Sequence, residues 1–349
     1  MSAREFVPRP DYAAVPAYRA ERTSADIDLG DSTNQWGTAP SALKALASFS
    51  PRDISEYPAV DPPELVRAFA DYAGVAPDMV ISGCGSDDLL DVALRALAAP
   101  GERVAHPAPT FAMAPIRARA NSLVPVPVPV TANGDLDADA MLATRARVMY
   151  LCTPNNPTGV PHSRAAVERV VAAAPGIVIV DEAYAEFADD VFTPWAARQP
   201  GVVVLRTLSK SFGLAGLRIG FALAAPVLLA EMVKARGPFR VNALANRAAA
   251  AALTGDRDWI RAHAANVREV RARFVSALAR IGFTPLQSQA NFVCVPVPDA
   301  ARAAQHLAAN SIVVRPFAKL PVVGDVLRIG LAPWPALERV LAALAALPR

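Results

Sequence analysis

Between residues 79 and 205, short apolar runs of about one strand's length alternate with longer Ala- and Leu-rich stretches of helical period. The runs fall at residues 79–82, 124–130, 148–152, 177–180 and 202–205, and the clearest helical patterns among them at 87–99 and 164–174. A strand that is apolar throughout must be covered on both faces, and strands alternating with helices run mostly parallel. The expected fold class is therefore α/β, a large domain on a mostly parallel central sheet. Beyond about residue 225 the pattern changes. Helical stretches at 243–252 and 259–280 lead into strand-like runs at 292–297, 312–314 and 326–329, then a helix at 336–347. This part reads as a smaller α+β domain. The first 40 residues are proline-rich and weakly periodic, an arm over the surface that contributes to the small domain. The expected division is 1–40 for the arm, 41–240 for the large domain and 241–349 for the small one.

Bulk composition removes several classes of function. With 349 residues, 53% hydrophobic and 19% charged, the chain can bury sizeable cores and is not a disordered one. Its net charge of +3 is spread without any run of five like charges, so neither nucleic acid nor a membrane is an expected partner. Cys84, Cys152 and Cys294 lie far apart, which fits reduced thiols and neither a disulfide frame nor a zinc site. His106, His162, His263 and His306 have no ligand spacing, and no metal is expected. No apolar signal-like core is visible near the N-terminus, and the longest apolar stretch, 219–230, is too short to span a bilayer. A cytoplasmic location is the expectation. The basic residues are 31 Arg but only four Lys, at 44, 210, 234 and 319. Arginine stays charged and cannot act as an amine nucleophile. Amine chemistry must therefore use one of those four side chains or the N-terminus.

Lys210 stands out among the four. Residues 205–220 read Leu-Arg-Thr-Leu-Ser-Lys-Ser-Phe-Gly-Leu-Ala-Gly-Leu-Arg-Ile-Gly. A strand ends in two hydroxyls (Thr207, Ser209), the lysine, small residues and Arg218. A phosphate-bearing aldehyde cofactor needs an amine to condense with, plus hydroxyl and guanidinium donors for its phosphate. A plain strand-to-helix loop with an exposed lysine would share part of this pattern. Upstream, Asp181 follows the run 177–180, where ligands of open α/β sheets sit. A carboxylate there can keep the pyridine nitrogen of pyridoxal phosphate (PLP) protonated, and Tyr184 can donate to the phenolic oxygen. A helix N-cap is the competing role for Asp181. The loop Thr153-Pro-Asn-Asn-Pro-Thr-Gly159 is a rigid turn that can also present Asn156 to that oxygen. Residues 82–88, Ser-Gly-Cys-Gly-Ser-Asp-Asp, open a helix with glycines and suit a phosphate. They lack the third glycine of a dinucleotide fingerprint.

Together these segments resemble the fold-type I PLP-dependent aminotransferases, specifically the class II histidinol-phosphate aminotransferase family. The likeness runs from about residue 55 to 330 and rests on Glu56-Tyr-Pro58, Gly85-Ser-Asp-Asp-Leu-Leu90, Pro109-Thr-Phe111, Asn155-Asn-Pro-Thr-Gly159, Asp181-Glu-Ala-Tyr184 and the segment Ser209–Arg218. The resemblance implies that Lys210 is catalytic and bonds PLP, that Asp181 pairs with the pyridine nitrogen, and that Asn156 and Tyr184 meet the phenolic oxygen. It implies a phosphate site of Gly85, Ser86, Ser209, Arg218 and Thr207, with Phe111 stacked on the ring. Tyr57 is similar to a tyrosine that reaches the neighbouring subunit's phosphate, which implies a homodimer. Arg315 and Arg328 match a pair used for the anionic end of the substrate.

The chain departs from the family on the substrate side. Ser32-Thr-Asn-Gln-Trp-Gly37 stands where an Asn-Glu-Asn-Pro segment is usual, and Ala332-Pro-Trp-Pro335 replaces a Thr-Pro-Glu-Glu-Asn run. The activity implied is ping-pong transfer of an amino group, from histidinol phosphate or an aromatic amino acid, to a 2-oxo acid such as 2-oxoglutarate. Histidine biosynthesis is the implied pathway. Two other readings share the fold. One is a threonine-phosphate decarboxylase-like lyase, which residues 238–245 resemble. The other is a non-catalytic PLP-fold binding protein.

Overall fold

The structure is a computed structural model that describes residues 9, 12, 13, 15–17 and 25–347. In chain order its strands are β1 (Ile27–Asp28), β2 (Val80–Gly83), β3 (Arg103–Ala108), β4 (Val124–Pro129), β5 (Val148–Cys152), β6 (Ile177–Asp181), β7 (Val202–Thr207), β8 (Gly220–Ala224), β9 (Phe292–Pro296), β10 (Ile312–Val313), β11 (Arg315–Leu320) and β12 (Gly324–Gly330). Seven of them form one sheet in the order β2-β8-β7-β6-β5-β3-β4, in which only β8 runs against its neighbours. The sheet is mostly parallel, as the alternation of strand and helix requires.

Strands β5, β6 and β7 are buried along their whole length because helices cover both faces. Side chains alternate between two cores with period two. Met149, Leu151, Val178 and Val180 enter one, while Val148, Tyr150, Ile177 and Ile179 enter the other. Strand β4 departs from expectation. Its Val-Pro-Val-Pro-Val-Pro sequence lies at the sheet edge and is largely exposed, because a residue without an N–H cannot serve both sides of a ladder. Two strands of this sheet lie outside the expected runs: β3, whose His106 and Pro107 interrupt an apolar run, and β8, which opens on a glycine; β1 and β11, elsewhere in the fold, do so as well.

The second body holds the antiparallel sheet β11-β12-β9 and the helices Arg257–Arg280, Ala300–Ala309 and Trp334–Ala345, around a third core. Residues 27–29 join this body, while most of the expected arm before residue 25 lies outside the described residues. Strand β1 pairs in parallel with β10, and Ile27 and Leu29 are buried in the same core. Helix Ala243–Gly255, expected in the small domain, instead places Ala245, Ala248, Ala249, Ala252 and Leu253 in the core of the large sheet. Its small side chains allow close approach to helices Pro40–Ala47 and Pro63–Ala73. We propose that the two bodies divide near Asp256 rather than near residue 240. No helix among the described residues is long and apolar enough to cross a membrane, and no cluster of His, Cys, Asp or Glu there is placed to hold a metal.

Candidate active site

The carboxyl ends of β2, β3, β5, β6 and β7 point to one edge of the sheet, where an open α/β fold binds ligands. A cavity of about 610 Å³ opens there, lined by Ser86, Phe111, Asn156, Asp181, Tyr184, Thr207, Ser209, Lys210, Arg218 and Arg328. The structure thus gathers residues from six separate segments that the sequence singled out. Gly85 borders the cavity as the N-cap of helix Ser86–Leu97.

One end of the cavity is built for an anion. Helix Ser86–Leu97 directs the unpaired N–H groups of its first turn outward. Gly85 has φ near +85°, and a Cβ built on it would lie 2.8 Å from Nη2 of Arg218. Gly220 is equally constrained, since its Cβ would stand 2.5 Å from the Ser86 nitrogen. These glycines let a strand end, a helix start and a guanidinium converge. Thr207 donates from Oγ1 to Oγ of Ser209 at 3.0 Å, and the Ser209 N–H donates back to Thr207 Oγ1 at 3.1 Å. Two hydroxyls, backbone N–H groups and one arginine make up the cradle.

Asp181 ends β6 and is buried. Its Oδ2 accepts from the Tyr150 hydroxyl at 2.7 Å and its Oδ1 from the Ala183 N–H at 3.1 Å. Burial lifts the carboxyl to a pKa of about 6; the Tyr150 bond opposes this and the charge of Asp87 adds to it. Tyr184 is buried against Phe292 with ring centroids 5.2 Å apart. Burial raises its phenol above the ordinary value, so it stays a donor.

Lys210 lies between these ends. Its Nζ donates to the Asp31 carbonyl at 3.1 Å and sits 5.8 Å from the centroid of Tyr184. Burial lowers its pKa to about 8, with the charge of Arg328 as the next cause. Arg218, the neighbour expected from sequence to have this effect, contributes less, and Asp87 and Asp31 oppose.

Arg328 reaches in from β12 of the second body. It donates from Nη1 to Asn156 Oδ1 at 2.7 Å and from Nη2 to the Gly30 carbonyl at 2.5 Å. Its Nε is buried without a partner among the described residues. Arg315 is its register partner across the β11–β12 ladder, so the two share a face although they lie thirteen residues apart. Tyr57 is not brought to the cavity. It is 84% exposed and stacks on Phe239 at 4.7 Å between centroids.

Asp31, Thr33, Asp87 and Cys152 also line the cavity and were not anticipated, nor was Tyr150. Tyr150 comes into view through sheet register. Cys152 pairs with Asp181 in register, and a residue two positions earlier shares its face.

A half-buried amine held partly neutral, an acid on the cavity wall and an anion cradle together suit covalent chemistry on a phosphate-bearing carbonyl compound. Comparison with known proteins agrees. Residues 25–344 match the family model for aminotransferase class I and II. A histidinol-phosphate aminotransferase of Chromobacterium violaceum is 37% identical over 314 residues, 88% of each chain. Histidinol-phosphate aminotransferase 2 of Burkholderia pseudomallei is 36% identical over 353 residues, 99% of each chain. Among solved structures, histidinol-phosphate aminotransferase from Sinorhizobium meliloti in complex with pyridoxal-5'-phosphate superposes with a TM-score of 0.85 at 28% identity, covering 93% of this chain and 91% of that one. The chain belongs to the aminotransferase class I and II family, and it is a PLP-dependent enzyme that moves an amino group from a donor to a 2-oxo acid.

Proposed function

We propose that Lys210 is the residue that bonds PLP and carries the proton, and that the donor is an amino phosphate ester of the histidinol phosphate type. The observation behind the first part is the meeting of the Lys210 amine, the Asp181 carboxylate and the Arg218–Ser86 cradle in one cavity. With a pKa of about 8, about a tenth of the free amine is neutral at pH 7, enough to take a proton from the donor carbon. PLP, when bound, supplies an electron sink for the pair left on that carbon.

The rest of the site positions and holds. Gly85, Ser86, Thr207, Ser209 and Arg218 take the phosphate. Asp181 accepts from the pyridine nitrogen, and Phe111 offers a ring face. Asn156 gives its Oδ1 to Arg328, so the donor half of its amide serves the phenolic oxygen beside Tyr184. Gly85→Ala is expected to weaken PLP binding about tenfold, because the new Cβ is strained at positive φ and displaces Arg218. Fluorescence titration of the apoprotein with PLP reads this; unchanged affinity would remove Gly85 from the phosphate site.

Arg328 and Arg315, paired across two strands, support a substrate with an anionic end. A donor with a distal phosphate, as in the names of the relatives, and a dicarboxylic acceptor such as 2-oxoglutarate both fit. Histidine biosynthesis is the proposed setting. The test is to add histidinol phosphate, phenylalanine, tyrosine and threonine phosphate in turn to the PLP-loaded protein. Histidinol phosphate is expected to abolish the visible band of lysine-bound PLP fastest, and an acceptor to restore it. A faster response to phenylalanine or tyrosine would replace the phosphate ester with an aromatic donor.

A homodimer is also proposed. Tyr57 stacks on Phe239, and both rings are 44% exposed or more, an apolar surface which a second copy would cover. If Tyr57 serves the neighbouring site, Tyr57→Ala and Lys210→Ala subunits are each impaired alone but regain activity when mixed and reassociated. Failure of the mixture to exceed its components would refute the shared site. All three cysteines are free, which fits a reducing compartment, and the cytoplasm is the proposed location.

A further inference from the structure

Tyr150 lies in the middle of β5, wholly buried and outside the cavity lining. Its hydroxyl donates to Oδ2 of Asp181 at 2.7 Å. The contact follows from register, because β5 and β6 pair Cys152 with Asp181 and alternate side chains share a face. Oδ1 of the same carboxylate accepts from the Ala183 N–H at 3.1 Å. Both oxygens are therefore held, and rotation of the group is blocked. The charged groups that face Asp181 work the other way. Asp87, from helix Ser86–Leu97, and Glu182, the next residue, both favour its protonation. Tyr150 is the side-chain donor that opposes them. Burial and the charge of Asp181 keep the phenol itself protonated, so it does not lose its donor role.

We propose that Tyr150 is a positioning residue for transamination: its hydroxyl keeps Asp181 oriented and ionised, so that the proton between them stays on the PLP pyridine nitrogen. The inference rests on the proposed pairing of Asp181 with that nitrogen. A carboxylate that accepts a hydrogen bond is a weaker base than one that does not. Without the phenol O–H, the shared proton moves from nitrogen toward Asp181, and the ring withdraws electrons less well. A tyrosine that merely filled the core would lose nothing at the pyridine nitrogen on conversion to phenylalanine.

The test compares wild type, Tyr150→Phe, Asp181→Asn and the double variant. Equilibrium dialysis measures the PLP dissociation constant, and nitrogen NMR of ring-labelled PLP reports where the proton sits. Tyr150→Phe is expected to raise the dissociation constant about tenfold, in line with loss of a hydrogen bond to a charged group. The ring nitrogen resonance should move toward its unprotonated position. The double variant should bind as weakly as Asp181→Asn alone, since Tyr150 acts only through Asp181. An unmoved resonance in Tyr150→Phe, or losses that add in the double variant, overturns the role of Tyr150. Unchanged affinity in Asp181→Asn overturns the pairing of Asp181 with the nitrogen instead. Tyr150→Phe removes one oxygen and keeps the ring, and melting of the apoproteins checks that each is folded. Tyr150→His, which restores a donor, should recover part of the affinity and the protonated resonance. It carries the comparison if Tyr150→Phe does not fold.

Discussion

Lys210→Ala is expected to lower kcat by roughly three to four orders of magnitude, the usual weight of a positioned proton carrier. The other three lysines cannot substitute. Lys44, Lys234 and Lys319 are all exposed and outside the cavity. Steady-state transamination measures the loss, and disappearance of the lysine-bound PLP band accompanies it; a variant that retained both would refute the assignment. The pH profile gives an independent check. The base form of Lys210 is the neutral amine, so the wild-type rate should rise with pH through a limb near pH 8 and the variant should lack it. Stability of the wild type also rises with pH. The folded state lowers this amine from 10.5 to about 8, so the unfolded chain binds more protons between those values. The cost of burying the amine is full below pH 8 and disappears as pH rises through that window. Apoprotein of Lys210→Met should therefore melt above the wild type at pH 7, with the difference shrinking toward pH 10. A gain in stability on losing a catalytic group is the usual trade at an active site.

Arg328→Ala is the second large effect. The guanidinium is buried, engages Asn156 and Gly30, and keeps Nε without a partner among the described residues. Its removal is expected to take away the proposed fork for the substrate carboxylate, and it leaves two carbonyl oxygens without this donor. Hydrogen bonds to charged groups are worth about 1.5–3 kcal/mol each, so kcat/KM for a dicarboxylic acceptor is expected to fall about a hundredfold to a thousandfold. Histidinol phosphate has no carboxylate, so its half-reaction should suffer less. Arg328→Lys keeps the charge but not the planar fork, and should recover only part of the loss. Arg328 also depresses the pKa of Lys210, so its removal should move the limb of the pH profile above pH 8. Equal losses in both half-reactions, with an unmoved limb, would mean that Arg328 braces the loop around Asn156 and does not bind substrate.

Strands β5, β6 and β7 were readable as continuous apolar runs because helices cover both of their faces. The loops after them were readable for a related reason, since Asn156, Asp181 and Lys210 carry their chemistry within a few residues of a strand end. Where a partner lies far along the chain, the sequence does not name it. Helix Ala243–Gly255 shows an apolar stripe, but a stripe does not say which surface will cover it. Strand β4 looked buried because valines flank its prolines, yet the missing N–H groups send it to an edge.

The order of residues was thus sufficient for the fold class, and it singled out Lys210 and Ser86, which the fold brings to one cavity, because each depends on short-range periodicity or on neighbours within one loop. The bond from Tyr150 to Asp181 and the tether of Arg328 to Asn156 and Gly30 came into view only in the folded chain. Each joins segments whose separation along the chain says nothing of their distance in space. Sheet register and the packing of the second body on the first bring them within hydrogen-bond reach, and a register shift of one residue would turn those side chains to the opposite face.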